Sequence, residues 1–146
     1  MKVDVIVTDL EGKPLANARV DIWQTNHWGR YAHPGDRNPA PLDPNFQGWG
    51  MVKTDADGYY SFTTIKPGAY AVSSGWSRPP HIHFRISRRG YHELITQMYF
   101  ANESLNDNDR LLLSVDEEAR QRLVVEFHDN DGVLEGDFPI VLARVT

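Results

Sequence analysis

The 146 residues include no cysteine. A chain without cysteine has no disulfides, thiolate zinc sites, iron–sulfur clusters or cysteine nucleophiles. An excess of basic charge is also lacking, because 15 Lys and Arg face 20 Asp and Glu, for a formal net charge of −5. We therefore expect no nucleic-acid partner and no attachment to an anionic membrane.

Long apolar stretches are missing as well. No run approaches the ~20 residues that span a bilayer. The opening MKVDVIVTDL is interrupted by Asp4 and does not resemble the apolar core of a signal peptide. These absences predict a soluble, cytoplasmic protein without a membrane partner, and the length suits one domain over residues 1–146.

Strand-like alternation is what the chain has in abundance. It predicts strands over 3–9, 18–24, 66–72, 81–87, 94–100, 123–129 and 137–145, and a hairpin over 51–65 around an Asp57-Gly58 turn. One short helix is predicted over 114–123, capped by Ser114. Residues 102–109 are predicted to be a polar loop, and the acidic residues of 102–118 are assigned to solvated positions. The fold class that follows is all-β: an antiparallel β-sandwich with long active-site loops and at most one short helix.

Residues 25–50 lose all periodicity and are rich in proline and glycine. Long loops inside a compact domain are uncommon and often functional. Tyr31 lies in this loop, and Tyr70 lies at the start of the strand predicted over 66–72.

The segment RPPHIHF, residues 78–84, contains the most specific local pattern. His81 and His83 point to the same face of a strand, while Ile82 and Phe84 point to the other. Two adjacent imidazoles suit iron, copper, zinc or nickel. The same pattern also arises by chance on solvent-facing strands, so the spacing alone leaves a metal site open.

Charge balance narrows the choice of metal if Tyr31 and Tyr70 are assumed to be ligands with the two histidines. Two phenolates and a hydroxide would balance Fe(III), and phenolate forms only beside a strong Lewis acid. This selection depends on the assumed ligand set, which the spacing does not establish.

Several longer stretches resemble the intradiol ring-cleavage dioxygenases, in particular their protocatechuate 3,4-dioxygenase branch. The stretches are ARVDIWQTNHWGRYAHPGDRNPAPLDPNFQGWG, TDADGYYSFTTIKPGAY, RPPHIHF and LITQMYF, which together cover roughly residues 16–100 in the family's order. The resemblance implies a β-sandwich that holds one non-haem Fe(III). The implied metal ligands are Tyr31, Tyr70, His81 and His83.

The resemblance also implies roles for residues near the iron. Tyr70 would be the ligand that leaves when substrate binds, and Tyr31 the tyrosine that stays. Arg78 would stabilise negative charge on the substrate ring, and Gln97 would line the same pocket. The implied reaction cleaves a catechol between its hydroxyl-bearing carbons with O2, giving a cis,cis-muconate-type diacid. The expected assembly is a homo-oligomer, and a hetero-oligomer is left open.

Two departures from the family pattern affect these expectations. The first predicted strand begins almost at Met1, so we expect the family's N-terminal segment to be missing. Val72 stands where the protocatechuate branch tends to have tryptophan, which predicts a wider pocket or a different substituent on the substrate ring. Two other interpretations are weighed against the enzyme: a metal-free transthyretin-like binding module, and a hydrolase with a His-x-His zinc site, which lacks an obvious acidic ligand.

Overall fold

The computed structural model describes residues 1–146, and most of its regular structure is β-strand. The strands are β1 (Lys2–Asp9), β2 (Arg19–Trp23), β3 (Trp49–Lys53), β4 (Tyr59–Thr63), β5 (Tyr70–Ser73), β6 (Trp76–Arg78), β7 (His81–Ser87), β8 (Leu94–Phe100), β9 (Val124–Val125), β10 (His128–Asn130) and β11 (Val133–Leu142). The helices are a 3₁₀-helix (Ser104–Asn108), α1 (Arg110–Leu113) and α2 (Glu117–Leu123). None of the helices is long and apolar enough to cross a membrane.

Two sheets enclose the core. One has the strand order β10-β11-β1-β4, the other has the order β3-β2-β7-β8-β9, and β5 and β6 form a separate two-stranded hairpin. Alternation places one side of the longer strands in the core, as in β1 and β7, whose buried residues include Val3, Val5, Ile82, Phe84 and Ile86. The rings of Phe84 and Phe138, one from each sheet, lie 4.8 Å apart between centroids.

The predicted fold class is confirmed, with two differences in detail. Both main sheets are mixed, because β1 pairs with β11 in parallel and β8 pairs with β9 in parallel. Period-two alternation reports which face is buried but not the direction of the neighbouring strand, so it could not distinguish these pairings. The second difference is that there are two short α-helices rather than one.

The predicted hairpin over 51–65 is wrong, although its turn is present. The Gly58 N–H donates to the Asp55 carbonyl at 3.0 Å, and Gly58 has a φ of +70°. The chain then crosses between sheets, because β3 pairs with β2 while β4 pairs with β1. An Asp-Gly turn determines only the local bend of the chain. Which strand each flanking segment pairs with depends on contacts with the other strands of the sandwich.

The helical region begins earlier than predicted and divides in two. Asp109 caps α1 by accepting from the Leu112 N–H, and Asp116, not Ser114, caps α2 by accepting from the Ala119 N–H. Aspartate at these positions satisfies a free backbone donor as well as serine does. The predicted strand over 123–129 is likewise split between β9 and β10, which belong to different sheets.

Candidate metal centre

Strand β7 presents the two histidines on the face of the five-stranded sheet that points away from the core. Ile82, Phe84 and Ile86 are fully buried on the inner face, and His81 is also buried, although it points outward. This outer face is covered near His81 by the long loop and the β5–β6 hairpin, which supply the tyrosines. The histidine side is therefore a covered pocket and not an open solvent face.

The two tyrosines reach the histidines from separate segments that touch backbone to backbone. The Gly68 N–H donates to the Asn26 carbonyl at 2.8 Å. A Cβ added to Gly68 would lie 2.4 Å from the His27 carbonyl oxygen, and one added to Gly29 would lie 2.3 Å from the Ala69 carbonyl oxygen. Two glycines thus permit the close approach that brings the segments of Tyr31 and Tyr70 together.

Four donor atoms form one cluster around the Tyr31 hydroxyl. The Tyr31 hydroxyl oxygen lies 3.0 Å from that of Tyr70, 2.8 Å from Nε2 of His83 and 3.4 Å from Nε2 of His81. The two histidine Nε2 atoms are 3.2 Å apart. Donor atoms about 2.1 Å from a shared first-row metal ion are about 3.0–3.4 Å from one another. The spacing of the cluster is therefore that of neighbouring ligands.

The two imidazoles are neutral and turned towards the cluster. The His81 Nδ1–H donates to the Pro79 carbonyl at 2.6 Å, which leaves the lone pair of Nε2 facing the other donors. Burial lowers the pKa of His81 to about 4 and that of His83 to about 3, with Arg78 adding to both shifts. Neutral imidazole is the form that binds a metal.

The Nδ1 atom of His83 has no hydrogen-bond partner like the Pro79 carbonyl that holds His81. The His83 ring instead stacks on Trp23, with centroids 4.9 Å apart and planes within 2° of parallel. Trp23 and His83 are directly opposite each other in the β2–β7 pairing. Trp23 is thus a residue of the site that the sequence reasoning missed.

The donor set fits ferric iron. Burial and the hydrogen bond to Tyr70 raise the pKa of Tyr31 well above its usual value of 10, so Tyr31 ionises only beside a strong Lewis acid. No group of three or more His, Cys, Asp or Glu side chains occurs that could hold a metal, so the cluster contains two phenols and two imidazoles without a carboxylate. Hard phenolate oxygens with imidazole nitrogens suit Fe(III).

Arg78 and Gln97, which the resemblance implies as pocket residues, each lie opposite a residue of this cluster in a strand pair. Arg78 is directly opposite Tyr70 in the β5–β6 hairpin, and Gln97 is directly opposite His83 in the β7–β8 pair. The Arg78 Nη2 donates to the Gln97 side-chain oxygen at 2.5 Å. The expected pocket therefore has its arginine and its glutamine in contact with each other.

Two more residues complete the surroundings of Arg78, and sequence reasoning assigned neither of them to the site. Asp109 is fully buried and accepts from the Arg78 Nε–H at 2.7 Å. The Tyr99 hydroxyl donates to Asp109 at 2.8 Å and accepts from Arg78 Nη2 at 3.1 Å. The assignment of Asp109 to a solvated loop is wrong, because this buried ion pair joins residues 31 apart in sequence.

Val72 lies on β5, two residues beyond Tyr70, and is 49% exposed. The wider pocket stays a prediction.

Comparison with known proteins identifies relatives along nearly the whole chain. The model of the dioxygenase family Dioxygenase_C matches residues 1–143. The chain is 44% identical over 144 residues to the protocatechuate 3,4-dioxygenase beta chain of Burkholderia cepacia, covering 93% of this chain and 61% of that protein. It is 35% identical over 138 residues to catechol 1,2-dioxygenase of Candida albicans, covering 86% of this chain and 43% of that protein.

The fold has solved counterparts. The crystal structure of 3-chlorocatechol 1,2-dioxygenase from Rhodococcus opacus 1CP superposes with a TM-score of 0.78 at 27% identity, covering 99% of this chain and 59% of that one. The chain thus spans between two fifths and two thirds of the length of these relatives. The family match does not favour the transthyretin-like module. The sequence, the fold and these relatives together show that the chain belongs to the intradiol ring-cleavage dioxygenase family.

Proposed function

We propose that this chain is a non-haem Fe(III) intradiol dioxygenase that acts on a catechol-type diol, with residues 1–146 forming one catalytic domain. The proposal rests on one cluster of two phenol oxygens and two neutral imidazole nitrogens beside a buried arginine. The other three donor atoms all lie within 3.4 Å of Tyr31 Oη, and the two imidazole nitrogens are 3.2 Å apart. Tyr31, Tyr70, His81 and His83 would hold the ion. When bound, ferric iron supplies Lewis acidity and draws electron density from the diol.

Tyr70 is the ligand best placed to exchange with substrate. Tyr31 has three donor atoms around its hydroxyl, whereas Tyr70 contacts the cluster only through Tyr31 at 3.0 Å. Tyr70 also lies on the two-stranded hairpin outside both main sheets. Its phenolate oxygen would accept one proton from a diol hydroxyl and leave as a neutral phenol. The second diol proton would pass to hydroxide and form water, so the diol becomes the dianion, which is the form that reacts.

Arg78 would stabilise the negative charge that develops on the diol ring. Its guanidinium stays protonated, because the hydrogen bond to Asp109 and the nearby charges outweigh the opposing effect of burial and raise the pKa of Arg78. A fixed positive charge in a pocket with little water stabilises a transition state more strongly than the same charge in solvent. Gln97 would hold Arg78 and border the ring.

The overall reaction balances without a further reductant. The bond between the two hydroxyl-bearing carbons breaks, and both atoms of O2 enter the product as parts of two carboxylates. The four electrons that reduce O2 come from the diol. The product is a cis,cis-muconate-type diacid.

Product analysis under heavy-isotope O2 tests the proposal. We expect iron-loaded protein to convert catechol into a diacid that carries two labelled oxygen atoms. Tyr70→Phe should lower kcat by at least tenfold, because the proton acceptor is lost. Tyr60→Phe, a control on β4 outside the cluster, should leave kcat unchanged. A semialdehyde product, or a diacid without two labelled atoms, would contradict intradiol cleavage.

We also propose that the chain assembles as a homo-oligomer. A hetero-oligomer is the alternative, because the Burkholderia cepacia relative is named a beta chain. The native mass of the purified protein separates a monomer from either assembly, and purification without a second chain type tests the hetero-oligomer.

A further inference from the structure

Asp109 makes more interactions than capping a helix requires. Its side chain is fully buried and accepts from the Leu112 N–H at 3.0 Å, which is the cap of α1. It also accepts from the Arg78 Nε–H at 2.7 Å, the Tyr99 hydroxyl at 2.8 Å and the Trp76 indole N–H at 3.4 Å. Asp116, the cap of α2, accepts only from the Ala119 N–H and is exposed. One of the extra partners is Arg78 itself, and another, Tyr99, also accepts a hydrogen bond from Arg78.

These contacts leave one nitrogen of Arg78 free. Nε and Nη2 donate to Asp109, and Nη2 also donates to Gln97 and to Tyr99. Nη1 has no hydrogen-bond partner in the protein, and it is not among the buried atoms without a partner. Arg78 as a whole is only 4% exposed, so the free nitrogen faces a small opening.

The free nitrogen belongs to an arginine that neighbours the candidate metal centre. Arg78 is paired with Tyr70 across the hairpin, and its charge lowers the pKa values of His81 and His83. A guanidinium is planar, so fixing two of its nitrogens fixes the direction of the third. The charge of Asp109 also compensates that of Arg78, which would otherwise be costly to bury.

We propose that Asp109 is a positioning residue for the ring-cleavage reaction: it holds two nitrogens of Arg78 so that Nη1 faces the aromatic ring of the bound diol. This inference rests on the proposed function. Asp109 itself touches neither substrate nor metal, and it acts through Arg78 alone.

The test compares Asp109→Asn with Asp116→Asn in iron-loaded protein. Asparagine is a good helix cap, so both variants keep their caps, and only the first removes the charged partner of Arg78. We expect Asp109→Asn to lower kcat at least tenfold, while iron content and the dissociation constant for catechol under nitrogen change less than threefold. Asp116→Asn should change none of these quantities. If Asp109→Asn does not fold, Asp109→Ser, which keeps a capping hydroxyl, takes its place.

A double-mutant cycle separates positioning from a structural role. In an Arg78→Gln background, Asp109→Asn should lower kcat by less than twofold, because the group through which it acts is already absent. A kcat of Asp109→Asn within twofold of the unmutated protein would overturn the proposal. An equally large loss in the Arg78→Gln background would also overturn it.

A second readout needs neither iron nor activity. In nitrogen-15 spectra of the metal-free protein, the Arg78 Nε–H should be protected from solvent exchange. The protection should be lost in Asp109→Asn and kept in Asp116→Asn. If the unmutated protein cleaves no diol, the proposed function fails. Unchanged protection in Asp109→Asn shows instead that Asp109 does not hold Arg78.

Discussion

The two histidines of the centre are oriented by different means. His81 is fixed by a hydrogen bond from Nδ1 to the Pro79 carbonyl, whereas His83 is fixed by its stack on Trp23. A ligand that lacks a hydrogen bond at its second nitrogen depends on packing for its direction. The residue that packs on it should then affect metal affinity as strongly as a hydrogen-bonding partner does.

Replacing Trp23 tests this dependence. Trp23→Leu should weaken iron binding by about 10–100-fold, because His83 loses the ring that orients it. Competition with a chelator of known affinity measures the change. Trp28→Leu is the matched control, because Trp28 is 50% exposed and contacts His27 rather than a ligand. Equal affinities for the two variants would show that the stack does not orient His83.

The two tyrosines depend on how their segments meet. Tyr31 lies in the long loop, and Tyr70 follows the irregular segment 64–69, which contains Gly68. These segments contact through backbone atoms, with Gly68 against the His27 carbonyl and the Gly29 amide. The cluster therefore depends on a segment contact that has no room for a side chain.

Gly68→Ala should separate the segments. The added methyl group would meet backbone atoms that cannot turn aside, at a cost of about 1–3 kcal/mol in the free energy of unfolding. Iron binding should weaken as Tyr31 and Tyr70 move apart. Gly50→Ala is the control, because a Cβ there meets nothing within 4 Å and neither glycine has a positive φ. Urea unfolding and chelator competition measure both effects, and similar results for the two variants would refute the steric explanation.

At the scale of secondary-structure elements, local sequence patterns predicted the positions of several strands but not all of their pairing partners. Alternation located β1, β2, β7 and β8 to within about two residues, because each has one face in the core. The Asp57-Gly58 turn was also located correctly. The partners of β3 and β4 were not, because strand pairing depends on contacts distant in sequence.

The residues of the candidate site were likewise predictable from local patterns only in part. The His81 and His83 pair follows from spacing within one strand, whereas the resemblance to a family was needed to add Tyr31 and Tyr70. Asp109 precedes an Arg-Leu-Leu-Leu segment, which is a pattern typical of a helix cap. Nothing in the sequence links it to Arg78, because that contact exists only after β6 and α1 have packed together.

At the scale of the whole molecule, the candidate metal centre lies on the outer face of a β-sandwich whose core is apolar. The core residues of β7 alternate with the histidines, so packing of Phe84 against Phe138 also fixes the direction of the ligands. We propose that the cluster is a ferric site with phenolate ligands. That claim is independent of which diol is the substrate.

The visible absorption spectrum of the protein, with iron assayed on the same sample, tests this claim most directly. Iron-loaded protein should show a broad band from phenolate-to-Fe(III) charge transfer at about one iron per chain. The band should shift when catechol is added under nitrogen and return when air is admitted. A colourless protein that takes up no iron on reconstitution would contradict the account.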